Sequence, residues 1–567
     1  MKEVLSWLFF LIVIITPPAH GTLSSPLPLF VGRQFERSTP RSPSPFRWVK
    51  ESETITKNSS KAVGILFSDL RGGGVKVKSE YVKCDADAHK KKKSWGVSIS
   101  LFITYLTVMA AKCALPSTLA ILTSNNSDLV HQSATLSRDD VISRLLALST
   151  LSIAAGKIFL GPVIDSLGGI FSLQIALLTL FLCLGSIGNA RTCPTLSSLA
   201  IYWIIVDFGF SSCWAACVKT IREYMDEQRW SEEIGRLAMA ARIGNAISFA
   251  SFAWLLQWAS ARPPVVASGH DTSWRWVYRA SGAIQLIPLA MLTYFGRKGR
   301  DTFGIQLESN QGVQSTTKRS SPMLSLNILR RQACNVEFWL HLLSRTITMV
   351  LVSFLLFIPT FMTQCYEMSS ASAARVGSCF ALGCLASVST LAAKTYPSSN
   401  LSRTQSSLQS YTKKSSLTSI YKRKASFMAM FLALSTGCLT LQLLFLNNTI
   451  HLSAISGSIL MFLWGFSLAI PFYLPSSMFS LKRGGKEGSA TIADAFDVCG
   501  FGLLAVFNGF VARIVGVKGD LSMLLHRKKA WMHVFSLMVG GSIVAMVSLF
   551  SAVWLEGERE LKLNCSS

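Results

Sequence analysis

The sequence has few charged residues, and few of those are acids. Only 15% of its 567 residues are charged, half are hydrophobic, and 30 Asp and Glu stand against 55 Lys and Arg. Such a chain is neither intrinsically disordered nor an ordinary soluble globule. The net charge of +25 does not indicate nucleic-acid binding, because the basic residues mostly lie in short loops between apolar segments. Loop charges of this kind orient membrane proteins.

The motifs of common enzymes and metal sites are also missing. The 13 cysteines form no C-x-x-C pair and no Cys/His cluster at metal-ligand spacing, which argues against a zinc site. The sequence contains no G-x-S-x-G, no H-E-x-x-H and no glycine-rich phosphate loop. We therefore expect neither an enzyme nor an ATP-driven pump, and no metal or cofactor.

The first 94 residues resemble targeting segments. Residues 1–21 place a lysine before an apolar stretch and Pro-Pro, which is the pattern of a secretory signal peptide. Residues 22–94 form a tail whose Arg- and Ser-rich, acid-poor beginning resembles an organelle transit peptide, and a plain disordered tail is the alternative. Together they predict a plastid envelope reached through the secretory pathway. An endomembrane or the plasma membrane is the alternative destination.

Twelve apolar segments follow, each near the length that crosses a hydrocarbon core of about 30 Å. We number them spans 1 to 12. Their approximate limits are 95–122, 140–163, 167–189, 197–219, 236–259, 275–297, 337–363, 373–394, 425–446, 452–475, 488–512 and 529–554. They predict an all-α membrane protein with twelve transmembrane helices.

A weak internal repeat divides these spans into two halves. Gly-Phe-Ser recurs at 209–211 and 465–467, and Gly244 and Gly500 are related by the same shift. Two pseudo-symmetric six-helix bundles are typical of transporters that rock around a central site. The predicted parts are a bundle at 95–297, a linker at 298–336, a second bundle at 337–555 with a Ser- and Lys-rich insertion at 395–424, and a tail at 556–567.

Loop charge predicts the orientation of the spans. The four lysines at 90–93 precede span 1, and the loops on that side carry most of the Lys and Arg, apart from the basic loop 513–529 on the other side. Positive loops face the inner side of a membrane. Both termini are therefore predicted to be inside.

The stretch GKIFLGPVIDSLGG, residues 156–169, lies between spans 2 and 3. Its Gly156, Gly161, Asp165 and Gly168 resemble the G-x-x-x-[DE]-x-x-G loop signature of the major facilitator superfamily. The resemblance implies a latch that holds the inner gate closed. Its chemistry is consistent with this, since small residues let helices approach closely and a carboxylate can hold the start of a neighbouring helix. The usual basic residues after the aspartate are missing, and the second half has no copy.

A narrower resemblance concerns the organophosphate:phosphate antiporter branch, which exchanges glycerol phosphate or sugar phosphates for phosphate. Tyr105 precedes Lys112 by seven residues, a spacing similar to that between a span-1 tyrosine and a phosphate-binding arginine in that branch. GFSSCWAACVKTIREYM, ARIGNAISF and GKEGSATIADAFDVCGFG, at 209–225, 241–249 and 485–502, resemble that branch's spans 4, 5 and 11. Trp214 and Asp497 lie at its matching positions. The key arginine is replaced by lysine here.

Charges inside the spans are the remaining candidates, because a charge in hydrocarbon is costly unless it faces a cavity or a partner. Lys112 lies deep in span 1 and is the leading candidate for binding an anion, the alternative being a lysine paired with an acid of the bundle. Arg242 and Arg345 either bind the anion or extend to the inner surface. Asp494 and Asp497 share a face of span 11 and predict charge pairing or proton coupling.

These features predict a secondary transporter of a small organic anion, with a phosphorylated metabolite as one candidate. Its expected partners are that anion and the lipid bilayer, with no nucleic acid, and we expect a monomer. Proton-coupled transport of another solute is the first alternative. The second is a sensor or scaffold on the same fold that transports nothing.

Overall fold

Every regular element in the described part of the chain is a helix. The computed structural model describes residues 77–123, 129, 138–260, 272–296, 322–368, 370–395, 410–515 and 524–566. Helices satisfy all their backbone groups internally, which a segment in hydrocarbon requires. The predicted signal peptide, most of the tail and parts of the linker and of the insertion lie outside the described residues.

The helices follow the predicted spans in order. Those of the first half are Val77–Lys112, Ala114–Thr123, Arg138–Leu167, Gly169–Ile187, Leu196–Tyr224, Trp230–Ser260 and Trp274–Ala283. The linker contributes Pro322–Ala333. Those of the second half are Val336–Ser353, Ile358–Cys365, Ser370–Thr395, Ser410–Leu446, Ala454–Val515 and Leu524–Ser566.

Ten helices in the described residues are long and apolar enough to cross a membrane, a number consistent with twelve spans. One of them, Ala454–Val511, contains both span 10 and span 11, which are separated by Gly485 at φ 59°. Span 6 is not among the ten because it consists of two shorter pieces, Trp274–Ala283 and 286–296.

Several helices extend beyond the predicted span limits. The first begins at Val77 rather than near residue 95, and the helix of span 9 begins at Ser410, inside the predicted insertion. The helix of span 12 continues to Ser566. Lys, Glu, Arg and Leu are good helix formers and are frequent in the extension after span 12, so that helix continues past the apolar stretch that sets the predicted limit.

Proline explains two breaks within spans. The first helix ends at Lys112 and resumes at Ala114, because Pro116 lacks the N–H that would bond to the carbonyl of Lys112 and its ring crowds that group. Span 7 is interrupted in the same way, with a 3-10 turn at Phe354–Leu356 before the helix that contains Pro359. Lys112 therefore lies at a bend of span 1.

The repeated glycines make equivalent contacts in the two halves. Gly244 of span 5 packs directly on the backbone of Leu106 in span 1. Gly500 of span 11 packs on the side chain of Met349 in span 7. A side chain at either position would collide with the opposing helix, so glycine allows these pairs to approach closely. The contact at Gly244 also brings Arg242 and Tyr105 towards each other.

Candidate functional site

Asp165 joins the two halves at the end of span 2 where span 11 begins. Its carboxylate accepts hydrogen bonds from the backbone N–H groups of Ala490 and Thr491, at 3.2 and 2.8 Å, and from the Thr491 hydroxyl at 2.7 Å. Lys219 of span 4 lies 3.3 Å from the same carboxylate. A negative charge at the start of a helix is favourable, since free N–H groups point towards it.

The glycines of the same signature lie at close contacts or turns. Gly161 faces the backbone of span 11, where an added Cβ would lie 3.0 Å from the Cα of Thr491. Gly156 packs against Ser211 and the carbonyl of Phe208 in span 4. Gly168 has φ +89°, a conformation that favours glycine, between the helices of spans 2 and 3. A latch role for these residues stays a prediction.

A buried ionic network lies deeper along the same contact. The Lys157 ammonium of span 2 is 3.0 Å from Asp494 and 2.9 Å from Asp497, both in span 11. It also donates to the carbonyl of Ser211 at 3.2 Å. Arg345 of span 7 donates to Asp497 through Nη2 at 2.8 Å and through Nε at 3.1 Å. Asp497 therefore has two cationic partners and Asp494 has one.

Lys112 is paired with an acid of its own half. Its ammonium forms an ion pair with Asp207 of span 4, which also accepts a hydrogen bond from Ser149 of span 2. The rings of Trp203 and Phe210 lie 5.3 and 4.9 Å from the lysine nitrogen. This is the alternative that the sequence left open for Lys112. Its role in substrate binding stays a prediction.

Arg242 lies in a different environment, among aromatic rings from both halves. Its guanidinium lies 5.7 Å from the ring of Tyr473 in span 10. The ring of Trp214 lies between Tyr473, at 5.8 Å, and Tyr105, at 5.2 Å. We call these four residues the central cluster. All four are buried, and no described atom forms a hydrogen bond with Arg242 Nε.

The structure thus brings together Tyr105 and Arg242, and separately Arg345, Asp494 and Asp497. The two groups adjoin, because Arg345 donates to the carbonyl of Phe472, whose ring lies 4.7 Å from that of Tyr473. Lys157 and Tyr473 are not among the candidates predicted from the sequence. Lys157 stands inside the latch stretch and within span 2, six residues before its predicted end at 163, and a charge inside a span is itself a signal of function.

Comparisons with known proteins agree with this architecture. The profile of the Major Facilitator Superfamily matches residues 97–502. The chain belongs to the major facilitator superfamily. Membership supports secondary transport of a small molecule by alternating access, in a multi-pass membrane protein. No curated protein sequence matches the chain.

Solved transporters of the superfamily share the fold. The proton:xylose symporter XylE bound to 6-bromo-6-deoxy-D-glucose has a TM-score of 0.55 at 11% identity, over 81% of this chain and 95% of that chain. A crystal structure of a double Trp mutant of XylE has a TM-score of 0.54 at 10% identity, over 81% of this chain and 96% of that chain. At such identities only the fold is shared. The narrower resemblance to organophosphate:phosphate antiporters stays a prediction.

Replacing Asp165 by asparagine should loosen the contact between the halves of this superfamily member, which is predicted to lie on the inner side. An amide has one oxygen acceptor and no charge, and a hydrogen bond to a charged group contributes about 1.5–3 kcal/mol. We expect a cysteine at Ser489, which is fully buried, to be alkylated from the inner side roughly ten times faster in Asp165→Asn than in the parent.

The parent for this experiment has the exposed Cys334 and Cys499 replaced by serine. Ser166→Ala is the matched control, because the Ser166 hydroxyl is exposed and bonds only within its own turn. Equal alkylation rates in the parent, in Ser166→Ala and in Asp165→Asn would show that Asp165 does not hold this contact closed.

Proposed function

We propose that the chain is a secondary transporter of a small organic anion that binds at the central cluster. The observation that carries the proposal is Arg242. Its side chain is buried, with 7% of the residue exposed, and no described carboxylate forms an ion pair with it. A buried arginine without an anionic partner is costly, and an anionic substrate supplies the missing charge and hydrogen-bond acceptors.

Residues of both halves form the cluster, which suits alternating access. Tyr105, Trp214 and Arg242 belong to the first half and Tyr473 to the second. A ligand between them contacts both bundles, so its binding affects how the bundles move against each other. A site near the middle of the spans at the interface of two repeats is the usual arrangement in such transporters.

Contacts between the halves near the predicted inner ends of spans 2, 5, 8 and 11 close the inner side, so that the substrate enters the site from the outer side. Asp165 and Lys157, both on span 2, each bond to span 11 of the opposite half. Gly235 of span 5 packs against Ala392 at the inner end of span 8. These contacts must separate before the inner side opens. A substrate promotes this separation only if it binds the inward-open state more tightly than the outward-open state.

Counterflow in proteoliposomes tests the proposal. Vesicles loaded with an unlabelled anion should accumulate the same labelled anion transiently above its external concentration, and protein-free vesicles should not. A panel of monocarboxylates, dicarboxylates and phosphate esters gives the substrate class. No flux of any anion would reject the proposal and favour the alternative in which the protein is a sensor or scaffold.

Proton coupling is the second candidate mechanism, and Asp494 is the observation that favours it. One of its carboxylate oxygens, Oδ2, is buried without a described partner, and its single cation comes from the opposite half. When the halves separate, Asp494 loses Lys157 whereas Asp497 keeps Arg345. Anion accumulation driven by an imposed pH gradient, and lost in Asp494→Asn but retained in wild type, would support this mechanism.

A further inference from the structure

We infer that the substrate carries one negative charge, and that its class is a monocarboxylate with a flat, apolar body. The inference rests on the proposed function and makes it more specific. It follows from how the buried charges around the central cluster are paired and from which side chains form the cluster. A dianionic phosphate ester at neutral pH carries one negative charge more than this inference allows.

The pairing of charges leaves a single uncompensated cation at the cluster. Five basic side chains of the spans bear on the charge of the site. They lie at the cluster, at the contact between the halves, or in the ion pair that joins spans 1 and 4. Lys112, Lys157, Lys219 and Arg345 each form an ion pair with one or more aspartates. Arg242 forms none within the described residues and carries the free charge.

The network next to the cluster is neutral as a whole. Lys157 and Arg345 contribute two positive charges, and Asp494 and Asp497 contribute two negative charges. The charge of Arg345 is already neutralised by Asp497, so a second anion on Arg345 would give this buried network a net negative charge, which is unfavourable. The charge available to a ligand at the cluster is therefore that of Arg242 alone.

Charge balance then determines which anions are accepted. A monoanion on Arg242 leaves no net charge in the buried site. A dianion leaves one uncompensated negative charge and a neutral solute leaves one positive charge, and both are costly in a medium of low dielectric constant. A carboxylate also matches the planar, two-pronged geometry of a guanidinium.

The rings of the cluster determine the rest of the ligand. The Tyr473 ring lies next to Arg242, Trp214 packs on Tyr473 and Tyr105 packs on Trp214, and all three residues are more than nine-tenths buried. Aromatic rings favour stacked or edge-on contacts with another ring. A carboxylate attached to a ring therefore contacts both Arg242 and the aromatic surface.

A series with one ring and different head groups separates charge from shape. The probes are phenylacetate with one negative charge, phenyl phosphate with mostly two at pH 7.5, and phenylacetamide with none. Each competes against labelled phenylacetate in counterflow. We expect phenylacetate to inhibit at least about tenfold more strongly than either of the others. Phenyl phosphate should improve as the pH falls towards about 6, where its monoanion becomes abundant.

Adding a free cation beside the cluster should reverse the preference. Asp497→Asn releases Arg345 from its carboxylate, and we expect the ratio of phenyl phosphate to phenylacetate exchange to rise at least about tenfold. Glu556→Gln is the matched control, because it releases Lys482, 3.0 Å from Glu556, in a different ion pair near the inner ends of spans 10 and 12. That variant should keep the wild-type ratio.

Three results are decisive. Preference for phenylacetate in the wild type supports the inference, and the shift in Asp497→Asn strengthens it. Exchange of phenyl phosphate at pH 7.5 as fast as phenylacetate in the wild type overturns the inference but leaves the proposed function intact. No exchange of any anion overturns the proposed function, and the inference with it. The comparison of the three probes on the wild-type protein tests the inference even if Asp497→Asn does not fold.

Discussion

Arg242→Gln should lower anion exchange by about 100-fold or more in kcat/KM while the protein still folds into the membrane. Arg242 is the basic residue of the central cluster that no described carboxylate compensates. Glutamine is shorter, keeps a polar amide, and offers neither the charge nor the guanidinium fork. It also removes a buried charge that the empty protein must accommodate, so we expect the purified variant to be at least as stable as wild type.

Arg242→Lys tests whether charge or geometry dominates. Lysine keeps the charge but binds an oxyanion as a point charge, so we expect a partial loss, intermediate between wild type and Arg242→Gln. Arg331→Gln is the matched control, because Arg331 is exposed on the linker helix Pro322–Ala333. Counterflow rates over a range of anion concentrations measure each effect. Wild-type exchange in Arg242→Gln would remove Arg242 from the site.

Lys112→Met should destabilise the protein strongly, and adding Asp207→Asn should restore much of the loss. Asp207 is fully buried and its ion pair with Lys112 lies within the first half. Removing one partner of a buried pair costs about 3–5 kcal/mol, because the other charge is left unpaired, whereas removing both is often tolerated. The midpoint of thermal unfolding in detergent should fall by about 5 °C or more in the single variant.

Transport separates the two roles that the sequence allowed for Lys112. A lysine that only neutralises Asp207 predicts that the double variant regains both stability and exchange. A lysine that binds the substrate predicts regained stability without exchange. Because the Lys112 side chain is 21% exposed and already paired, we expect the first result. Ser149→Ala, which removes only the hydroxyl bonded to Asp207, should have a smaller effect than Lys112→Met.

The fold could be predicted from the sequence because the bilayer imposes a length and an apolar composition on each span. The order of the helices follows the apolar segments, and the equivalent contacts of Gly244 and Gly500 follow the repeat. The ends of the helices could not be predicted in this way. The helices that begin at Val77 and Ser410 start in polar, charged segments, for which low hydropathy predicts loops rather than helix.

The candidate site was predicted less completely, because the depth of a charge in a span does not reveal its partner. The depth of Lys112 in its span favours it over Arg242 as the anion-binding residue, yet Asp207, 95 residues away in the chain, pairs with Lys112. Tyr473 gave no signal, since a tyrosine in an apolar span is ordinary. Its position beside Arg242 depends on the packing of span 10 against the first half, which one sequence does not contain.

Ligand-induced stabilisation of the purified protein tests the central claim most directly. A ligand that binds only the folded state raises the unfolding midpoint in proportion to the logarithm of its concentration above Kd. We predict that phenylacetate raises the midpoint of the wild type in this way and leaves that of Arg242→Gln unchanged. An equal rise in both proteins would contradict the claim that Arg242 holds the transported anion.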